Sequence, residues 1–198
     1  MKIAIDIDGT IYDTERGFRA EAEIFDIDEL NGDNLIDSRA LWVENRYNWT
    51  KEENEKFNKK LYEITEEASL MPGAKKVIKK LQEKGVETII VTARGSTGFD
   101  NFEEMMQQVK DKLDADDLHF SKMFFKNLDK VETCINEKVD FIIDDSPDVC
   151  KRTSENGIHT IFLRDAGIEK IELNEYVTVA HNWGEVYRII TNALKNQQ

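Results

Sequence analysis

Short apolar segments alternate with amphipathic helical segments along most of the chain. The apolar segments are rich in branched residues, and they predict strands at 1–8, 86–92, 123–125, 140–144 and 159–163. Apolar residues at helical spacing predict helices at 72–85, 99–114, 129–137, 147–156 and 183–194. Strands that alternate with helices form parallel sheets covered on both faces. The sequence therefore predicts an α/β fold of Rossmann-like type, with a parallel sheet in three α/β/α layers.

Residues 13–70, called the cap segment below, follow a different pattern. The segment shows no convincing strand signal, whereas Thr50 followed by Glu53 is typical of a helix capping box. Four apolar residues after the box fall on one helical face: Phe57, Leu61, Ile64 and Ala68. We therefore predict a small helical cap inserted after the first strand, with residues 1–12 and 71–198 forming the core.

The charge of the chain limits its partners. The formal net charge is −13, which disfavours binding to nucleic-acid polymers and to anionic membranes. No apolar run is long enough to span a membrane, and acids at positions 6 and 8 argue against a secretory signal. Two widely spaced cysteines predict reduced, partly buried thiols. These features favour a cytoplasmic protein, and they leave monomer and homodimer open.

Four polar clusters follow predicted strands or lie between them. They are Asp6-Ile7-Asp8-Gly9-Thr10, Thr92-Ala93-Arg94, Lys130, and Asp144-Asp145-Ser146-Pro147. The carboxyl ends of parallel strands lie along one edge of a sheet, where ligands bind. Residues far apart in sequence are therefore expected to meet in one crevice.

The residue types in these clusters suit phosphoryl chemistry. Asp6 and Asp8 are two residues apart on an extended chain, so they face the same way at roughly 6–7 Å. We predict that Asp6 is a nucleophile and that Asp8 is a general acid and base. Oxygen ligands from Asp6 and the Asp144-Asp145 pair suit Mg²⁺, which would offset the charge of a phosphate. Lys130 would add a second cation, and the Thr92 hydroxyl with nearby backbone N–H groups would bind phosphoryl oxygens.

Taken in order, these motifs resemble those of the haloacid dehalogenase superfamily. DIDGT resembles motif I, VTAR motif II, Lys130 in its D-K-V-E context motif III, and FIIDDSP motif IV. The resemblance covers residues 1 to about 165. It implies a phosphatase that forms an aspartyl-phosphate on Asp6.

The resemblance also assigns roles to individual residues. It implies that Mg²⁺ is bound by the Asp6 carboxylate, the Asp8 backbone carbonyl and Asp145, with Asp144 assisting. It places the phosphate-binding groups at four positions: Thr10, Thr92, Ala93 and Lys130.

The small helical insert, VTAR, IIDDSP and the late HNW segment also resemble the deoxyribonucleotidase branch and its bacterial relatives. A nucleoside monophosphate is therefore the favoured substrate. A sugar phosphate or another small phosphorylated metabolite, and phosphotransfer instead of hydrolysis, stay open as alternatives. The non-enzyme alternatives are a signalling receiver domain and an inactive phosphate-binding protein.

Several residues have two interpretations. Arg94 either contacts substrate or pairs with a surface acid, and we favour the surface pair. Lys126 is the rival to Lys130 as the phosphate-binding lysine. The cap aromatics either form a small core of their own, which we favour, or supply one or two rings that stack on a nucleobase: Phe18, Phe25, Trp42, Tyr47, Trp49, Phe57 and Tyr62.

Overall fold

A computed structural model describes residues 1–40, 42–96, 101–164 and 174–196. Within these residues, six parallel strands form one sheet in the order β3-β2-β1-β4-β5-β6. The strands are β1 (Lys2–Ile5), β2 (Glu87–Val91), β3 (Met123–Phe124), β4 (Phe141–Asp144), β5 (His159–Leu163) and β6 (Val177–Ala180). The predicted parallel α/β sheet is confirmed. The order reverses beside β1, so its carboxyl end lies at the point where a ligand crevice is expected.

The central strands are apolar at successive positions because both faces of the sheet are covered. Ile3, Ala4 and Ile5 are all fully buried. Ile3 and Ile5 belong to one hydrophobic cluster, and Ala4 belongs to the cluster on the opposite face. This arrangement is the reason that β1 appears as an uninterrupted apolar run.

In the described part of the cap segment, residues 13–40 and 42–70, there are four helices: α1 (Thr14–Leu30), α2 (Val43–Arg46), α3 (Lys51–Asn58) and α4 (Leu61–Glu67). The predicted capping box is present, because the Thr50 side chain accepts from the Glu53 amide and Glu53 accepts from the Thr50 amide. The single helical face predicted after it is wrong, because the chain breaks into α3 and α4. Phe57 and Ile64 are nevertheless buried in one cluster.

Among the described residues, five helices cover the sheet: α5 (Ala74–Glu83), α6 (Phe102–Ala115), α7 (Val131–Asn136), α8 (Pro147–Glu155) and α9 (Trp183–Asn196). Buried residues of α5, α6 and α9 share one cluster with Ile3 and Ile5. Cys134 of α7 and Val149 of α8 share the other cluster with Ala4. The predicted three-layer arrangement is therefore present. Positions 99 and 100 of the helix predicted at 99–114 lie outside the described residues.

The observed β1 is shorter than predicted, and one strand, β6, was not predicted. β1 ends at Ile5 rather than continuing to Asp8, and Asp6 makes one further backbone bond to Ile143 O at 3.0 Å. β6 was not predicted, because only Val177 and Ala180 are buried and the residues between them are exposed or partly buried, so no regular apolar run marks the strand. The sheet thus gains an additional strand at one edge.

The chain enters and leaves the cap segment through two neighbouring backbone segments that are hydrogen-bonded to each other. Tyr12 forms an antiparallel bridge with Leu70, and the Met71 amide donates to Ile11 O at 2.8 Å. The indole N–H of the buried Trp183 donates to Thr10 O at 2.9 Å. Trp183 therefore anchors the loop after β1 to the first turn of α9.

Cys134 and Cys150 are both buried and unbonded to each other, in agreement with the predicted free thiols. Within the described ranges, no helix combines the length and hydrophobicity needed to cross a bilayer.

Candidate active site

The carboxyl ends of β1, β2 and β4 bring the predicted clusters to one cavity of about 370 Å³. Eight of the predicted site residues line it: Asp6, Asp8, Thr92, Ala93, Arg94, Lys130, Asp144 and Asp145. Thr10 is the exception, because it is fully buried and does not line this cavity. Its backbone carbonyl is instead held by Trp183. Thr10 therefore supports the loop after β1. It is not among the residues that line the cavity, where a phosphate would bind.

Lys130 bridges two carboxylates at the bottom of the cavity. Its Nζ donates to Asp6 Oδ1 and to Asp144 Oδ2, each at 2.6 Å, and its side chain is only 3% exposed. Burial lowers the pKa of Lys130, but the adjacent Asp144 and Asp6 carboxylates outweigh burial and raise it above its ordinary value. Lys130 therefore stays protonated beside the two acids.

The rival lysine lies elsewhere. Lys126 is exposed, and its Nζ stacks 3.7 Å from the centroid of the Phe102 ring. It does not line the cavity. The geometry thus favours Lys130 over Lys126 as the lysine of the site.

Carboxylates of Asp6, Asp144 and Asp145 gather next to this lysine. Their ligand atoms all lie within 4.8 Å of one another. Burial raises the pKa of Asp6 to about 7, and Lys130 opposes that effect. Burial, with Asp144 and Asp6 nearby, also raises the pKa of Asp145. A buried group of acids with more negative charge than one lysine can offset fits a hard divalent cation such as Mg²⁺.

The raised pKa of Asp6 predicts a pH dependence of folding stability in the metal-free protein. The folded-state pKa of about 7 lies above the ordinary value of 3.8, so the folded protein holds this proton more tightly than the unfolded chain. The contribution is complete below the ordinary pKa and is lost as the pH rises through about 7. In EDTA, the melting temperature of Asp6→Asn relative to wild type should increase as the pH rises from about 5 to about 8. A difference that stays constant over this range would contradict the raised pKa.

Gly9 gives the loop after β1 room to pass the Asp145 carboxylate. Its φ is +69°, and a Cβ at this position would lie 2.1 Å from Asp145 Oδ2. Gly9→Ala is therefore expected to lose about 1–2 kcal/mol of unfolding free energy from the left-handed backbone and to displace Asp145 as well. The matched control is Gly85→Ala, since Gly85 has φ +80° and an added Cβ would meet nothing within 4 Å.

Urea unfolding and Mg²⁺ titration separate these two effects of Gly9→Ala. Both variants should lose stability, but only Gly9→Ala should weaken Mg²⁺ binding. Equal Mg²⁺ affinities in the two variants would mean that the close approach of Gly9 to Asp145 is unimportant.

Arg94 pairs with Asp8 inside the site, not with a surface acid as favoured from the sequence. Its Nε donates to Asp8 Oδ2 at 3.0 Å, and its Nη2 bonds Asp8 Oδ1. Its amide donates to Thr92 Oγ1 at 3.1 Å, and the residue is buried. Arg94 thus holds the Asp8 carboxylate at both oxygens. It also lines the cavity, and its contact with a substrate stays a prediction.

The sequence reasoning missed Arg164 and Glu15, which lie on or beside the cavity, whereas it named Trp42 among the cap aromatics. Arg164 follows β5 directly, so the strand-end rule applied to the other clusters would have found it. Glu15 and Trp42 belong to the cap segment, and both line the cavity. Trp42 is 45% exposed, whereas Phe25, Tyr47, Trp49 and Phe57 are buried in a local cap cluster. That cluster agrees with the favoured interpretation of the cap aromatics, with Trp42 as an exception.

The fold and the site together define an α/β enzyme with a lysine-bridged acidic centre at the carboxyl edge of a parallel sheet. The family model for haloacid dehalogenase-like hydrolases matches residues 3–129, which is more than half of the chain. This chain therefore belongs to the haloacid dehalogenase-like hydrolase family.

Solved structures with the same fold are distant in sequence. A haloacid dehalogenase-like hydrolase from Streptococcus pneumoniae aligns with TM-score 0.64 and 15% identity, covering 96% of this chain and 97% of its own. The magnesium-bound HAD-hydrolase YfnB from Bacillus subtilis aligns with TM-score 0.62 and 17% identity, covering 96% and 98%. A predicted phosphoglycolate phosphatase from Haemophilus somnus aligns with TM-score 0.60 and 14% identity, covering 95% and 96%. A search of curated proteins found no match.

Proposed function

We propose that this protein is a magnesium-dependent phosphomonoester hydrolase that acts through an aspartyl-phosphate on Asp6. The observation that carries the proposal is the placement of the Asp6 carboxylate, which lines the cavity, pairs with Lys130 and lies within 4.8 Å of the Asp144 and Asp145 carboxylates. The Asp6 carboxylate therefore pairs with one fixed cation, Lys130, and also belongs to the acidic cluster that is the candidate Mg²⁺ site. Both would stabilise a phosphoryl group bonded to it.

The proposed reaction gives separate roles to Asp6, Asp8 and Lys130. Lys130 holds Asp6 Oδ1, so we assign Oδ2 as the oxygen that attacks phosphorus while the bond to the leaving alcohol oxygen breaks. Asp8 gives that oxygen a proton and later takes one from the water that hydrolyses the aspartyl-phosphate. The products are the alcohol and inorganic phosphate, and Asp6 is regenerated. When bound at the acidic cluster, Mg²⁺ would offset the charge of the phosphate and orient it.

Arg94 sets a condition on this sequence of steps. Because it bonds both Asp8 oxygens, at least one of these bonds must open before Asp8 can reach a leaving oxygen. Arg94 is then free to contact the substrate. We expect the Thr92 hydroxyl and the Ala93 amide to bind the remaining phosphoryl oxygens, since both residues line the cavity.

For the substrate, we propose a nucleoside monophosphate. Trp42 supports this choice, because it is the half-exposed cap aromatic on the cavity wall and can stack on a planar base. Phe18 lines the same cavity. A small non-nucleotide phosphate ester is the second candidate, since a structural neighbour is a predicted phosphoglycolate phosphatase. Phosphotransfer from the same aspartyl-phosphate would use an alcohol in place of water.

A panel of nucleoside monophosphates and sugar phosphates, assayed for phosphate release with Mg²⁺ and with EDTA, tests both levels of the proposal. We expect hydrolysis that requires Mg²⁺ and that favours nucleotides, with Trp42→Ala raising KM for nucleotides more than for sugar phosphates. Uniformly low rates on nucleotides beside one fast sugar phosphate would remove the nucleotidase assignment. Hydrolysis that is unchanged in EDTA would remove the metal-dependent mechanism.

A further inference from the structure

Arg164 is fixed at the carboxyl end of β5. Its amide donates to Ala180 O at 2.9 Å, and its carbonyl oxygen lies 3.0 Å from His181 Nδ1. Its side chain is 5% exposed. Backbone bonds on both sides and a buried side chain leave the guanidinium little freedom to move.

One nitrogen of this guanidinium joins two carboxylates from different parts of the chain. Arg164 Nη1 donates to Asp145 Oδ2 at 3.1 Å and to Glu15 Oε2 at 2.6 Å. Nη1 carries two hydrogens, so each carboxylate can accept one. Asp145 belongs to the acidic cluster, whereas Glu15 lies in the first turn of α1.

Asp145 depends on this contact more than the other two acids do. Lys130 bonds Asp6 and Asp144, but it makes no hydrogen bond to Asp145. Within the described part of the chain, Arg164 is the side chain that donates to the Asp145 carboxylate. The same oxygen, Asp145 Oδ2, lies next to Gly9, where an added Cβ would approach it to 2.1 Å. Arg164 and Gly9 together therefore fix the orientation of the Asp145 carboxylate.

Glu15 extends this contact into the cap segment. It accepts from Arg164 and also pairs with Arg19 one turn further along α1, at 2.6 Å. A shift of α1 would therefore change the length of the hydrogen bond from Arg164 to Glu15. The hydrogen bond between Arg164 and Asp145 would change with it.

We propose that Arg164 is a positioning residue for the metal site, which holds Asp145 in place and couples it to Glu15 on α1. This inference rests on the proposed function only in that Asp6, Asp144 and Asp145 bind the divalent ion. It adds that cation binding and the position of the cap segment depend on each other through one guanidinium. Neighbours that orient a metal ligand typically change metal affinity by about 10–100-fold when removed.

Calorimetric titration with Mg²⁺ in the absence of substrate tests the positioning role. Arg164→Met is expected to weaken Mg²⁺ binding by about tenfold. The direction is informative, because removing a positive charge beside a cation site would by itself strengthen binding. The exposed Arg188→Met on α9 is the control, and it should bind Mg²⁺ like wild type. Unchanged or tighter binding by Arg164→Met would overturn the positioning role.

A double-mutant cycle with Glu15→Gln tests the coupling to α1. If Arg164 joins the two acids, the effect of Glu15→Gln on the Mg²⁺ dissociation constant should differ by about threefold or more between the wild-type and Arg164→Met backgrounds. Equal effects in both backgrounds would mean that Glu15 acts only through space, and the coupling would be wrong. Circular dichroism checks folding, and Arg164→Lys replaces Arg164→Met in the cycle if the latter does not fold.

The wild-type titration separates this inference from the proposed function. If wild type binds no divalent ion, the metal site itself is wrong. If wild type binds Mg²⁺ and Arg164→Met binds it equally well, only the role of Arg164 is wrong.

Discussion

Asp6→Asn is expected to lower kcat for phosphate release by on the order of 10⁴-fold or more. The amide oxygen is a poor nucleophile, and the variant cannot form the aspartyl-phosphate that the proposed mechanism requires. Lys130 and Asp144 stay in place, so the loss should appear in kcat at saturating Mg²⁺ rather than in folding. Steady-state assays with the best substrate of the panel measure the effect.

Asp28→Asn is a suitable control for this variant. Asp28 is an exposed acid on α1, outside the cavity, and its substitution should leave kcat unchanged. Acid-quench experiments with ³²P-labelled substrate should trap a labelled protein in wild type but not in Asp6→Asn. If Asp6→Asn kept a rate close to that of wild type, the covalent mechanism would be wrong.

Lys130→Met should have the largest effect on stability. Removing the ammonium leaves Asp6 and Asp144 buried without their shared partner, and breaking a buried ion pair in this way costs about 3–5 kcal/mol. The loss is expected in urea unfolding with EDTA present, and part of it should be recovered by saturating Mg²⁺, which restores positive charge beside the acids. Phosphatase activity should fall as well, because Lys130 would otherwise bind the phosphoryl group.

Lys126→Met provides the matched control. Lys126 is exposed, and its Nζ lies over the face of the Phe102 ring, a contact worth about 0.5–1 kcal/mol. A loss for Lys130→Met no greater than that for Lys126→Met would show that the buried bridge contributes little to stability.

The sheet could be predicted from the sequence wherever a strand is buried on both faces. HTIFL at 159–163 is β5 without any shift, because a short apolar run between a glycine-ended helix and a charged residue has few other solutions. VTVA at 177–180 was missed, because an edge strand needs apolar residues on only one face. The break between α3 and α4 was missed for a related reason. Periodicity predicts which residues are buried, but it does not report that the chain turns between Asn58 and Leu61.

For the site, residue types and chain order were sufficient to bring together Asp6, Asp144 and Asp145, because each lies at or directly after the carboxyl end of a predicted parallel strand. Side-chain pairing was not predictable in the same way. Arg94 was expected to pair at the surface, yet it is buried against Asp8. The partners of Arg164 lie 149 and 19 residues away in the chain. Their distance in sequence carries no signal that would pair them.

The sequence by itself determined the parallel sheet, the motif residues at its carboxyl edge and the acidic centre that they form. These depend on local apolar patterns and on one rule of sheet geometry, both of which are present in the order of residues. Only the tertiary structure decided which cation faces which carboxylate, that Trp42 lies on the cavity wall, and that Glu15 and Asp145 share Arg164. Those contacts depend on distances of a few ångströms between elements, which are set when the helices and strands pack together.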